Sequence, residues 1–225
     1  MPINTARLKT FAQNTRAKLV SLITTKLHYL LTADNAELRG WENEIKRLRQ
    51  EIDRRGETNV VEEVAYTWFN RVMALRYMDA KEFNSPMIVT PGEGQTRPQI
   101  LEDAMAGIFD DSLKLTPEVK LLEGAALYRR LLIAVCQKNY ETMPFLFEHL
   151  SDYTELLLPD DLLSEQSFVT DIRKGMSVED CQNVEIMGWL YQFYITDRKN
   201  EAERNKWRRG GLNSEEQAAA TQLFT

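Results

Sequence analysis

Apolar residues fall three and four apart along nearly the whole of this 225-residue chain, and no other feature constrains its fold as tightly. Leu8, Phe11, Ala12, Leu19, Leu22, Ile23, Leu27, Leu30 and Leu31 mark one long amphipathic helix. Asp34, with Glu37 three residues on, has the form of a capping box and predicts the start of a second helix. There Leu38, Trp41, Ile45, Leu48 and Ile52 step alternately by three and four, a short heptad-like seam. Two such helices joined by a few residues predict an antiparallel hairpin over 1–56, seam closing on stripe.

Gly56 stops the second helix, and Asn59 with Glu62 repeats the capping signature ahead of a third, over roughly 60–83. The core of that third helix, "TWFNRVMALRYMDAKEF" (67–83), holds Trp68, Phe69, Tyr77 and Phe83 around Arg71 and Arg76. Trp68, Val72 and Leu75 lie in one helical row and Phe69, Met73 and Arg76 in the next, giving a wide apolar face. Arg71 and Asp79 then point to water or to a buried partner. Base stacking by these rings needs exposed platforms, and so apolar a helix reads more simply as core.

"NSPMIVTPGEGQTRP" (84–98) holds three prolines and two glycines, so it is loop with at most a short strand at Met87–Thr90. Thr116 before Pro117 predicts an N-cap opening an apolar helix through Leu121, Leu122, Ala125, Leu132, Val135 and Cys136. Tyr140–Leu158 is apolar and Leu-rich until Pro159 breaks it. Ser177 with Asp180 caps a last long helix through Val184, Met187, Leu190, Tyr191, Tyr194 and Ile195. The chain therefore reads as an all-α multi-helix bundle: the hairpin over 1–56, a helical domain over 57–209 with an irregular, loop-rich insertion near 84–115, and a linker over 210–225.

Chemistry is harder to find. The two cysteines, Cys136 and Cys181, sit in apolar helical surroundings and read as buried free thiols of a reducing cytoplasm. The two histidines, His28 and His149, have no metal-ligand spacing, and no metal site is expected. Asp34 followed by Glu44-Ile45-Lys46 imitates the carboxylate-plus-lysine spacing of metal-dependent nucleases. That grouping needs a strand, because residues two apart on a helix diverge by about 200°. No nucleophile elbow and no P-loop occurs. No run of 18 apolar residues offers a membrane span, and the start lacks the apolar region of a secretory signal.

The net charge of −6 hides an asymmetry. Residues 1–55 carry 11 Lys/Arg against 6 Asp/Glu, residues 56–197 carry 11 against 24, and residues 198–225 carry 6 against 4. Two basic clusters stand out: Lys46, Arg47, Arg49, Arg54 and Arg55 on the second helix, and Lys206, Arg208 and Arg209 around Trp207. Placed cations are all that phosphate contact requires, so these are the candidate DNA-binding residues. The competing reading is a solvated face balanced by interleaved Glu and Asp.

Three segments together resemble a known family. "EVAYTWFNRVMALRYMDAKEF" (63–83), "EIMGWLYQFYITDRKNE" (185–201) and "AAATQLFT" (218–225) are similar, in order and rough spacing, to the N-terminal region of PglX-type adenine-specific DNA methyltransferases of bacterial BREX phage-defence systems. The resemblance spans about residues 60–225. It implies a parent enzyme that transfers a methyl group from S-adenosylmethionine to adenine N6 in DNA, using a glycine-containing turn and an Asn/Asp-Pro-Pro-aromatic motif. Neither motif occurs in these 225 residues, where no two prolines are adjacent. No catalytic or cofactor-binding residue is therefore carried over. The expectation is an inactive helical scaffold, in contact with DNA through its parent and with other defence proteins. The alternative is a stand-alone helical protein-interaction module.

Overall fold

A computed structural model describes residues 4–33, 38, 40–147 and 152–196, and every described element is helical. The helices are α1 (Thr5–Thr32), α2 (Glu42–Arg55), α3 (Glu57–Ala80), α4 (Gln99–Met105), α5 (Gly124–Tyr140), α6 (Asp152–Leu156), α7 (Phe168–Gly175), α8 (Val178–Cys181) and α9 (186–196). The all-α reading is correct. The expected cap at Asp34 and Glu37 lies outside the described residues, as do His149, the charged run 197–209 and the linker 210–225.

Helix α1 starts where Asn4 accepts a hydrogen bond from the Arg7 amide, and it buries Leu8, Ala12, Leu19, Ile23, Leu27 and Leu30. This stripe is longer than α2 can cover. It packs chiefly on α3 and on α7, while α2 packs on α3 and α6. So the seam and the stripe of the N-terminal pair meet mainly through α3 rather than directly. One apolar cluster runs from Leu8 to Tyr194, with α3 at its centre.

Several local expectations are corrected. Gly56, at φ 85°, joins α2 to α3 as a single residue, so α3 starts at Glu57 and Asn59 already sits in its first turn. The Asn59 amide donates to the Arg55 carbonyl at 2.7 Å, finishing α2 rather than starting α3. Thr116–Pro117 opens a single 3₁₀ turn, Val119–Leu121, and α5 begins only at Gly124. Leu121, expected on that apolar helix, is 83% exposed. The Ser177–Asp180 capping box is present, but the helix it opens ends at Cys181. Asn183 then accepts from the Glu185 amide at 2.9 Å, the chain restarts as α9, and Val184 is left exposed. Met87–Thr90 forms no strand; an isolated bridge between Pro91 and Pro98 is the nearest approach to one among the described residues.

Candidate functional site

The aromatic-rich segment is the core of the molecule. Trp68, Phe69, Val72 and Leu75 are fully buried, and so, nearly, are Arg71, Arg76 and Asp79. A buried charge is tolerated only with partners, and Asp79 has four donors. Its carboxylate accepts from the backbone amides of Ile88 (2.9 Å), Val89 (2.8 Å) and Thr90 (3.0 Å) and from the Asn84 side chain (2.7 Å). Arg76 donates to the Met176 carbonyl at 3.0 Å and to the Thr90 hydroxyl at 2.9 Å, and Tyr128 donates to the Ile88 carbonyl at 3.1 Å. Burial, then the nearby Asp79 carboxylate, pushes the Tyr128 phenol far up, so it stays a neutral donor. These polar residues therefore hold the loop after α3 in place.

The basic residues of α2 are divided. Arg49 donates to the Leu31 carbonyl at 2.8 Å, Arg54 bonds to Glu51 at 2.6 Å, and Arg55 pairs with Glu63. Arg47 and Arg54, seven apart, share one outer row, while Lys46 lies about 100° further round, in the row of Asp53. Lys46 and Arg47 are exposed. The five cations are thus spread around the helix and interleaved with carboxylates, and Lys206, Arg208 and Arg209 fall outside the described residues. Glu44 and Lys46 lie within α2, which separates them around the helix.

Clefts flank the core, two of them beside the helices of the N-terminal half and α9. The larger, about 480 Å³, lies among α1, α2, α5 and α6 and includes Lys26, Tyr29, Trp41, Arg129 and Asp160. Burial lowers the Lys26 ammonium against the opposing pull of its Asp160 partner. Arg129 is occupied by the end of α6, donating to the Leu158 carbonyl at 2.7 Å and to the Glu155 carbonyl at 2.5 Å. The smaller cleft, about 230 Å³, is walled by Tyr66, Asn70 and Arg71 of α3, by Phe145, and by Met187 and Tyr191 of α9. Neither Asn70 nor Phe145 was singled out from the sequence: a lone polar residue and an aromatic beyond a helix end leave no periodic signal.

The thiols are chemically quiet. Burial pushes the Cys136 thiol up to about 12, outweighing the nearby Arg71, and burial also raises Cys181. Among the described residues no helix is long and apolar enough to cross a membrane.

No family model matches the chain. Over 188 residues, 80% of its length, it is 36% identical to the adenine-specific methyltransferase BrxX of Escherichia coli O9:H4 (strain HS). Over 183 residues, 75% of its length, it is 33% identical to the adenine-specific methyltransferase PglX of Lacticaseibacillus casei (strain Zhang). The chain spans 15% of each of these relatives.

Proposed function

From its homology to a segment of the PglX- and BrxX-type adenine-specific methyltransferases, we propose that this chain is a non-catalytic helical part of such an enzyme. The parent protein methylates adenine N6 in DNA from S-adenosylmethionine within a BREX phage-defence system in the cytoplasm, and this segment is its N-terminal scaffold. Its packed helices hold the aromatic core together, and the outer rows of α2 lie along the DNA backbone or against partner proteins of the defence system. The observation that carries the reading is the 36% identity extending over 80% of this chain.

Titration calorimetry of the 225-residue chain with S-adenosylmethionine tests the first half, with no binding expected. Tight binding would overturn the scaffold reading. For the second half, neutralising Lys46 and Arg47 in the full-length protein is expected to weaken duplex binding similarly for all sequences and to flatten its salt dependence. Unchanged binding would leave α2 as a solvated face.

A further inference from the structure

We propose that the cavity between the end of α3 and the second half of α5 docks a polypeptide segment carrying one apolar anchor flanked by lysines or arginines, supplied by the remainder of the parent enzyme. The origin of the segment rests on the family reading above; the site itself does not.

The cavity holds about 250 Å³, below the ~300–1,000 Å³ of pockets for drug-sized ligands, which is room for a single side chain. Met78, Ile88, Ile100, Leu113 and Val135 give it an apolar lining, and Phe83 stands at its edge, 68% exposed. Helix α3 closes beside it as a Schellman motif: the Phe83 amide donates to the Met78 carbonyl at 2.8 Å and the Glu82 amide to the Asp79 carbonyl at 3.0 Å. The motif puts Glu82 at φ 58°, in the left-handed region that favours glycine. On the facing wall Lys114, next to Leu113, takes φ 50°. Among the described residues, the two non-glycine residues held left-handed thus adjoin one cavity, and strain of this kind gathers at ligand clamps. In a Schellman motif the apolar residue after the turn commonly folds back on the last turn of the helix. Phe83 is instead left facing water.

Charge selects the occupant. At the mouth Asp110 pairs with Lys138 at 3.0 Å and Lys114 with Glu141 at 3.7 Å, so these four cancel. Glu82 and Asp111, exposed beside Phe83 and Asp110, have no ion-pair partner among the described residues. Residues 82–123 as a whole carry 8 Asp/Glu against 3 Lys/Arg. An acidic rim repels phosphate, which excludes nucleic acid and anionic lipid, and it attracts cations on either side of an anchor. An arginine there also finds the open face of Phe83. One buried anchor binds weakly between free molecules, because association costs much of what the contact returns. A segment on the same polypeptide escapes that limit, since tethering supplies an effective concentration of about millimolar order. The chain matches 15% of each relative's length, so most of such an enzyme lies elsewhere in the polypeptide.

The first arm of the test is NMR titration of the 225-residue chain with an end-blocked pentapeptide, leucine between two lysines and two arginines. Its serine-centred analogue and a version with four glutamates around the leucine are the controls. The leucine peptide is expected to bind at least ~10-fold tighter than the serine peptide, shifting the methyl signals of Met78, Ile88, Leu113 and Val135, and the acidic peptide not at all. Phe83→Ala, and Glu82→Gln combined with Asp111→Asn, all at exposed positions, should each weaken binding at least ~5-fold. Neutralising Lys46 and Arg47 should change nothing. Equal binding of leucine and serine peptides, shifts at other methyls, or indifference to Phe83→Ala would overturn the site, whatever the parentage of the chain. The second arm is limited proteolysis of the full-length enzyme, in which Glu82→Lys with Asp111→Lys should speed separation of this segment from the rest several-fold. Unchanged proteolysis beside positive peptide titrations would overturn the origin within the same polypeptide.

Discussion

Helices α2 and α3 are separated by one glycine and carry the same kinds of charged side chain, yet they use them in opposite ways. In α3, Arg76 and Asp79 are buried and spend their hydrogen bonds on backbone groups of the loop that follows and of the chain near Met176. In α2, Leu48 is the buried residue, and the cations are exposed or bonded to neighbouring carboxylates and carbonyls. A charge in α3 is therefore part of the folding of the domain. A charge in α2 sits at the surface or pairs with its near neighbours. The difference teaches that charge content says little about role until the donors and acceptors around each group are known.

The most damaging single change should be Asp79→Ala, which removes one acceptor from four donors at once. A loss of about 3–5 kcal/mol is expected in urea denaturation, with amide exchange at Ile88–Thr90 accelerating first. A loss below ~1 kcal/mol would place Asp79 on the same footing as the surface charges of α2. Leu48→Ala should follow at roughly 2–3 kcal/mol, because it empties the inner face of α2. If it proved neutral, α2 would be an appendage rather than a packed element.

Gly175→Ala probes the junction that binds α1 to α7. A Cβ there would lie 2.3 Å from the Phe11 ring, so a loss of about 1–3 kcal/mol is expected, relieved when Phe11→Ala is combined with it. A non-additive double-mutant cycle is the checking measurement.

A pH-dependent effect comes next. Burial works to raise the Asp180 carboxyl, but the hydrogen bonds from Arg7 and Ser177 outweigh it and hold the group below its ordinary 3.8. The unfolded chain then takes up this proton first. The stabilisation is full above the ordinary value and drains away as pH falls through the lower folded value. Acid titration of Asp180→Asn should accordingly show a shallower loss of stability below pH 4 than the parent chain. Equal slopes would remove Asp180 from the account. The smallest effect belongs to Lys46→Gln with Arg47→Gln, expected to move stability by no more than about 0.5 kcal/mol.

Much of the fold was legible in the sequence. The α1 stripe, the α2 seam and the aromatic helix α3 all follow from apolar spacing, and the Ser177–Asp180 capping box was visible as a pair three residues apart. The failures were at junctions. Asn59 has the spacing of a cap for α3, but the single-glycine turn places its side chain on the end of α2. Thr116–Pro117 carried an N-cap signature that, in this structure, is spent on one 3₁₀ turn. The candidate sites were less legible still. Arg49, Arg54 and Arg55 look equivalent to Lys46 in a list of cations, and the bonds that tie them to Leu31, Glu51 and Glu63 come from the packed structure.

By itself the sequence determined the helical class, the breaks between most helices, and which helix faces are apolar. These rest on contacts between residues one turn apart, which any stretch of chain carries with it. The tertiary structure alone decided the fate of the polar residues on those faces. Arg16 meets Glu62 46 positions away, and Arg76 meets the Met176 carbonyl 100 positions away. The field and the donors that make a buried charge tolerable come from distant segments, so no local pattern can announce them.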